Sequence, residues 1–373
     1  LIDEHHFPLN ARWKVLDLSP AQRQLVEICR ALLHGSSLLI FDEPTSSLSE
    51  SETCEVFRIV RTLRDRKVGV IYITHRLDEL RAVGDRVTVL RDGETVHSCD
   101  LEHLNTDQLI KHMVGREVAS IYEREPAPAG DELLRVENLS RKGALYDISL
   151  SLRAGEIVGL GGLVGAGRTE LCRAIFGLDP IDSGKVFVNG KEISVKSPGE
   201  AVEAGIALIP EDRQKSGLAT ALPITYNVTM ASLENVSSYG FLNHKAERRI
   251  TGEYVDRLRI RCSSGAQLAG RLSGGNQQKV VIAKWLARQA KIFLFDEPTR
   301  GIDVGAKVEV FDVMDRLARS GAAILMVSSE LPELLQVADR ILVIRQGRIT
   351  GELPGRTTQE EIMRLAALEE QAK

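Results

Sequence analysis

The chain has 373 residues, 43% of them hydrophobic and 27% charged, and a formal net charge of -4. That much apolar material excludes a largely disordered chain, and the slight acidity weighs against a general nucleic-acid binder. No apolar run approaches the ~20 residues of a membrane-spanning helix, and the length leads one to expect about two to three domains.

The opening segment Leu1-Ile2-Asp3-Glu4-His5-His6 is charged and lacks the form of a signal peptide, and because it begins with Leu a fragment is expected. Cys29, Cys54, Cys99, Cys172 and Cys262 are odd in number and dispersed, with no CxxC pair. They read as free thiols in a reducing compartment, not as a disulfide frame or a zinc site.

Leu18-Ser19-Pro20-Ala21-Gln22 stands before a helical stretch. The strand-like run Leu38–Phe41 ends in Asp42 and Glu43, and the run Val70–Thr74 is followed by His75. Pro and Ala alternate through Glu125-Pro126-Ala127-Pro128-Ala129, which predicts an extended linker over 116–131. Beyond it, Glu156–Gly161 reads as a buried strand leading into Gly162-Leu163-Val164-Gly165-Ala166-Gly167-Arg168-Thr169, with a helix expected over Thr169–Phe176. Leu272-Ser273-Gly274-Gly275 opens a further helix, with Ser273 as its N-cap. Trp285 is expected to pack in the core. Lys291–Phe295 ends in Asp296 and Glu297, and Ala323–Val327 is the last such apolar run. Continuous apolar strands alternating with helices indicate a parallel sheet covered on both faces.

The 162–169 segment has the spacing of a phosphate loop, with Arg168 where Lys is usual. Its glycines let backbone N–H groups turn inward around a phosphate, and the following helix start adds its dipole. Thr169 offers a hydroxyl to Mg2+. An Arg there is longer and planar, so weak hydrolysis is expected at this loop. In phosphoryl transfer, Asp42 and Asp296 would hold Mg2+, while Glu43 and Glu297 would polarise the attacking water. His75 stands where an imidazole could meet a γ-phosphate.

Asp-Glu-Pro-Thr occurs at Asp42 and again at Asp296, 254 residues apart, and the same offset aligns Leu18-Ser19 with Leu272-Ser273, Asp85-Arg86 with Asp339-Arg340, and Gly93 with Gly347. Two copies of one domain are therefore read. The counterpart of His75 is Ser329, and Pro20 and Ala21 replace the glycines at 274 and 275, which compromises close approach to a phosphate. Residues 1–115 are expected to be the C-terminal half of a first copy, which would begin about 120 residues before Leu1. Residues 132–373 are expected to be a complete second copy.

Phosphate loop, Leu-Ser-Gly-Gly signature, acidic strand and switch histidine, in this order, resemble an ATP-binding-cassette ATPase. Leu272–Lys279, Ile209–Arg213 and Phe295–Lys307 resemble the fused double-cassette subunit of bacterial monosaccharide importers of the ribose, galactose, xylose or arabinose type. The resemblance implies an α/β P-loop NTPase fold with a parallel RecA-like sheet, a helical subdomain and an antiparallel β subdomain, in one and a half tandem copies. It implies ATP and Mg2+ as cofactors, with each ATP held between the phosphate loop of one copy and the signature of the other. Gly162–Thr169, Glu211 (at the Gln-loop position), Ser273, Gly274, Gly275 and Gln277 would contact nucleotide, and Ser19, Pro20 and Ala21 would form a degenerate signature. Glu43, His75 and Glu297 would be catalytic. The implied partners are inner-membrane sugar permease subunits, with a periplasmic binding protein acting indirectly. The implied location is peripheral, on the cytoplasmic face of the membrane, with no nucleic acid involved. Two rivals stand beside this: a soluble tandem cassette acting on ribosomes or DNA, and a non-catalytic remnant.

Overall fold

A computed structural model describes residues 2, 7, 9–33, 36–45, 50–74, 77–91, 93–103, 128–163 and 165–367. The chain divides into two compact units, Leu1–Ala119 and Ser120–Lys373. Most of the expected linker lies outside the described residues.

The first unit contains α1 (Pro20–Leu33), β1 (Leu38–Asp42), α2 (Glu50–Asp65), β2 (Gly69–Ile73), α3 (Leu77–Val83), β3 (Arg86–Arg91) and β4 (Glu94–Asp100). Val56, Ile59, Val60 and Leu63 recur at helical spacing and bury one face of α2 against Leu25, Ile28, Leu39 and Phe41. β1 and β2 pair in parallel, and β3 and β4 form a separate antiparallel pair.

The second unit opens with a four-stranded antiparallel sheet in the order β6-β5-β8-β9, built from β5 (Glu132–Arg141), β6 (Leu145–Arg153), β8 (Ser183–Val188) and β9 (Lys191–Ile193). The main sheet has the order β10-β13-β14-β7-β15-β16, with β7 (Ile157–Gly161), β10 (Ile206–Ile209), β13 (Ile292–Asp296), β14 (Ala323–Val327), β15 (Arg340–Arg345) and β16 (Arg348–Pro354). All neighbours are parallel except the edge strand β16. Every residue of β7, β10, β13 and β14 is buried, as their continuous apolar sequences require.

Helices α4 (Arg168–Ile175) and α5 (Pro198–Glu203) precede a helical segment of α6 (Ile224–Thr229), α7 (His244–Arg257) and α8 (Gly274–Ala287); a two-residue hairpin, β11 (Ser237–Ser238) and β12 (Phe241–Leu242), lies between α6 and α7. Then come α9 (Val304–Arg319), α10 (Leu331–Val337) and α11 (Gln359–Ala367). Asp303 caps α9 by accepting from the Ala306 N–H at 2.9 Å. Trp285 is buried, edge-on to Phe176, and donates from Nε1 to the Leu208 carbonyl at 2.8 Å.

The second unit thus has the mainly parallel sheet, the antiparallel sheet and the helical segment that the resemblance implies. The 254-residue offset extends to element boundaries. Helices α1 and α8, strands β1 and β13, and strands β2 and β14 coincide at both ends, and the pairing Leu38↔Gly69 matches Ile292↔Ala323. The register shift at Val89/Leu90 recurs at Val343/Ile344. Exposure differs. Leu38, Ile40, Ile71 and Ile73 are 45–64% exposed, while their counterparts Ile292, Leu294, Leu325 and Val327 are at 0–1%. In the second unit β7 lies between β14 and β15, and α4 follows it.

Candidate functional site

β7 carries the chain through the core and ends at a tight exit. A Cβ placed on Gly162 would lie 2.3 Å from the Ile344 carbonyl oxygen, so only glycine passes β15 there. The loop then turns back into α4, whose N-cap is Gly167 at φ 109 with no side-chain cap. The Gly347 N–H donates to the Ala166 carbonyl at 2.8 Å and ties the loop to the β15–β16 turn. Val164 lies outside the described residues, and Leu163 is exposed. The helix begins at Arg168, one residue before the sequence predicts, because Gly167 already takes the capping position.

Arg168 does not point to solvent. Its side chain is buried, donates from Nη1 to the Ser328 carbonyl at 2.6 Å, and places Nη2 3.3 Å from Glu297 Oε1. Thr169 Oγ1 donates to Asp296 Oδ1 at 3.1 Å. Burial pushes the Asp296 carboxyl up to about 6; the Thr169 hydrogen bond opposes this and the Glu297 charge adds to it. Burial also raises Glu297, against two Ser329 hydrogen bonds and the Arg168 charge. Both the backbone N–H and the hydroxyl of Ser329 donate to Glu297 Oε2 at 3.0 Å. The residue that replaces the imidazole therefore holds the carboxylate, a contact the bare substitution does not reveal.

Glu297 has φ 47, a left-handed backbone uncommon for a side-chain-bearing residue, and its N–H donates to the Val327 carbonyl. Glu43 repeats both features, with φ 44 and a bond to the Ile73 carbonyl. Asp42 and Glu43 are exposed, unlike their buried counterparts. His75 lies outside the described residues.

The signature residues make other contacts. Ser273 is at the N-cap of α8, but its hydroxyl accepts from Asn276 Nδ2 at 2.8 Å and does not cap a backbone N–H. The glycines serve packing: a Cβ on Gly275 would lie 2.6 Å from the Ala306 Cβ, and one on Gly274 would lie 2.6 Å from Arg213 Nη2. Gln277 is turned inward, accepting from Gln214 Nε2 at 3.2 Å. Glu211 forms an ion pair with Arg300, and Arg213 donates to the Arg300 and Gly301 carbonyls at 2.7 and 2.9 Å. In the first unit Ser19 and Gln22 close a capping box, the Ser19 N–H reaching Gln22 Oε1 at 3.0 Å and the Gln22 N–H reaching Ser19 Oγ at 3.3 Å. The side chains of Pro20 and Ala21 are outside the described set.

The structure thus gathers Arg168, Thr169, Asp296, Glu297 and Ser329 at the start of α4, and sets Ser273–Gln277 against Arg213 and the 301–306 segment. Among the described residues no helix is long and apolar enough to cross a membrane, and no cluster of three His, Cys, Asp or Glu could hold a metal by itself.

The family model for ABC transporters matches residues 145–300. A putative ribose/galactose/methyl galactoside import ATP-binding protein of Agrobacterium fabrum is 48% identical over 98% of this chain and 73% of its own length. A ribose import ATP-binding protein of Rubrobacter xylanophilus is 48% identical over 98% of this chain and 74% of its own. A crystal structure of a nucleotide-free ATP-binding cassette from an ABC transporter superposes with a TM-score of 0.54 at 25% identity, covering 63% of this chain and 95% of that one.

Proposed function

We propose a function from one premise: the chain belongs to the ATP-binding proteins of ABC transporters, the cassette ATPases. It binds and hydrolyses ATP with Mg2+ and so energises import of a monosaccharide through a membrane permease. It sits peripherally on the cytoplasmic face of that membrane, with the periplasmic binding protein engaged only through the permease. The names of its relatives support the sugar class. The gathering of Arg168, Thr169, Asp296, Glu297 and Ser329 at an uncapped helix start carries the nucleotide chemistry.

The residues fit the group. Nothing would meet a Cβ within 4 Å at Gly165, so the loop has open space on that side, and the first N–H groups of α4, uncapped by any side chain, would be available to a phosphate. A hydroxyl and a carboxylate 3.1 Å apart, Thr169 and Asp296, are hard oxygen donors suited to Mg2+ once phosphate oxygens complete its shell. Bound there, Mg2+ would neutralise charge that develops on the transferring phosphoryl group. Glu297 orients and deprotonates the attacking water, and its raised proton affinity suits a base. Ser329 fixes its direction. In this reading Arg168 must leave Glu297 before the base can act, which makes hydrolysis at this loop slow.

We assign residues 1–115 to the C-terminal half of a first cassette and 132–373 to a second. The coincident element boundaries support this. Asp42, Glu43 and His75 would be the metal and catalytic residues of the first; Ser273, Gly274 and Gly275 form the intact signature. Gln277 acts by holding Arg213 and Gln214 in place. Ser19, in its closed capping box, is a poor nucleotide ligand.

The test is to reconstitute the chain with its cognate permease in vesicles and follow sugar uptake and phosphate release together. MgATP binding with permease-stimulated turnover is expected. A chain that binds no nucleotide would sink the proposal.

A further inference from the structure

Two carboxylates outside all the motifs above occupy the same place in the two units. Glu333 on α10 and Glu79 on α3 are 254 residues apart and are 5% and 0% exposed. Glu333 Oε2 accepts from Thr299 Oγ1 at 2.6 Å and from Ser328 Oγ at 2.8 Å. Glu79 accepts from Thr45 Oγ1 at 2.5 Å and from Thr74 Oγ1 at 2.8 Å. Thr45 and Thr299 close the two Asp-Glu-Pro-Thr segments. Thr74 and Ser328 are the residues just past β2 and β14.

The surroundings of the two carboxylates differ, so the shared bonds do not simply follow from an identical shell. Lys307 Nζ lies 2.9 Å from Glu333 Oε1, whereas the first unit has Thr53 at that position and brings in Tyr72, whose hydroxyl donates to Glu79 at 3.1 Å. Burying a carboxylate is unfavourable, and an apolar side chain of similar size would stabilise packing at least as well. The carboxylate nevertheless recurs, and each time it joins the same two segments.

Those segments flank the candidate bases. Glu297 lies two residues before Thr299, and its Oε2 is held by Ser329, next to Ser328. Its left-handed backbone, repeated at Glu43, is a conformation that persists only where the surroundings over-determine it.

We infer that Glu333 and Glu79 are positioning residues that bind the acidic strand end and the switch strand end into one rigid piece, fixing the direction of Glu297 and Glu43. The inference rests on reading those two glutamates as bases. Glu333 holds Thr299 and Ser328 on one carboxylate oxygen. Ser328 in turn presents its carbonyl to Arg168 and sets the place of Ser329. Removing the carboxylate frees both flanks of the base at once.

The test uses the full chain. Glu333→Ala is expected to lower kcat for ATP hydrolysis roughly tenfold or more, as loss of a buried charged acceptor should. The Kd for MgATP should change by less than about threefold. Thr299→Val should give a similar loss, and the double variant no further loss. Glu333→Gln, which keeps an oxygen for the two hydroxyls, should recover most of the rate. Additive losses, or a change in KM alone, would overturn the inference. Hydrogen exchange needs no turnover: in Glu333→Ala the amides of Glu297 and Ser329 should exchange faster together, with those of β7 unchanged. Unaltered protection at both amides would also overturn it. A wild-type chain that bound no MgATP would defeat the functional reading, and the exchange result would then decide this one.

Discussion

Arg168 spans two strands, donating to the Ser328 carbonyl at 2.6 Å while its second guanidinium nitrogen lies 3.3 Å from Glu297 Oε1. The residue standing at the phosphate-loop lysine position therefore pairs with the carboxylate proposed as the base. The long planar fork reaches both groups at once with separate nitrogens, whereas a lysine puts its whole charge on one nitrogen at the end of a shorter side chain.

Arg168→Lys is accordingly expected to release Glu297 and raise ATP turnover by the second unit, by about tenfold if one charge-assisted contact is removed. Phosphate release in single-turnover conditions measures it. Turnover at or below the wild-type rate would show that the guanidinium does not restrain the base.

Asp296 gives a pH signature. Burial raises its carboxyl to about 6 from 3.8. A raised acid stabilises the fold below its unfolded value, and that contribution is lost as pH rises through about 6. At neutral pH the folded state therefore carries a buried charge, worth about 2–3 kcal/mol for a shift of this size. Asp296→Asn keeps an acceptor for Thr169 and should be the more stable protein at pH 7. Its advantage should shrink as the pH falls through about 6, as urea titrations at a series of pH values would show.

Lys284 behaves in the opposite sense. Burial lowers it to about 8 while Nζ donates to the Gly217 carbonyl at 2.8 Å. A depressed base makes the fold more stable as pH rises from about 8 toward the unfolded value of 10.5. Wild type should gain on Lys284→Met across that window. Parallel stability curves for the two proteins would refute the assignment.

The signature glycine at 275 faces Ala306. Gly275→Ala puts a methyl 2.6 Å from the Ala306 Cβ and should cost about 1–3 kcal/mol by overpacking. Adding Ala306→Gly should restore most of that stability, which a double-mutant cycle by thermal denaturation would measure.

Much of the site was legible in the sequence. Gly162 and Gly167 announce a loop because no other residue tolerates the close approach or the left-handed turn, and the apolar runs before Asp42 and Asp296 announce strand ends. That the main sheet is parallel also followed from those runs, while its strand order did not. What was not legible depends on contacts between segments far apart in the chain. Ser329 reads only as a missing imidazole until its hydroxyl is found on Glu297. Ser273 reads as an ordinary cap until Asn276 is found on its hydroxyl. Gln277 reads as a ligand until its amide is found on Gln214. Glu333 carries no local pattern, since a lone acid in a short helix looks like a solvated face until Thr299 and Ser328 are seen to close on it.

The apolar stripe of Leu38, Ile40, Ile71 and Ile73 stays hydrated in the folded chain, whereas its counterparts are dry. Water already ordered on a surface is not newly ordered when the chain melts, so that surface adds nothing to the heat capacity of unfolding. Calorimetry should therefore show a small heat-capacity step for Leu1–Ala119 beside a larger one for Ser120–Lys373, and any polypeptide that dries the stripe should raise the first transition and leave the second where it was.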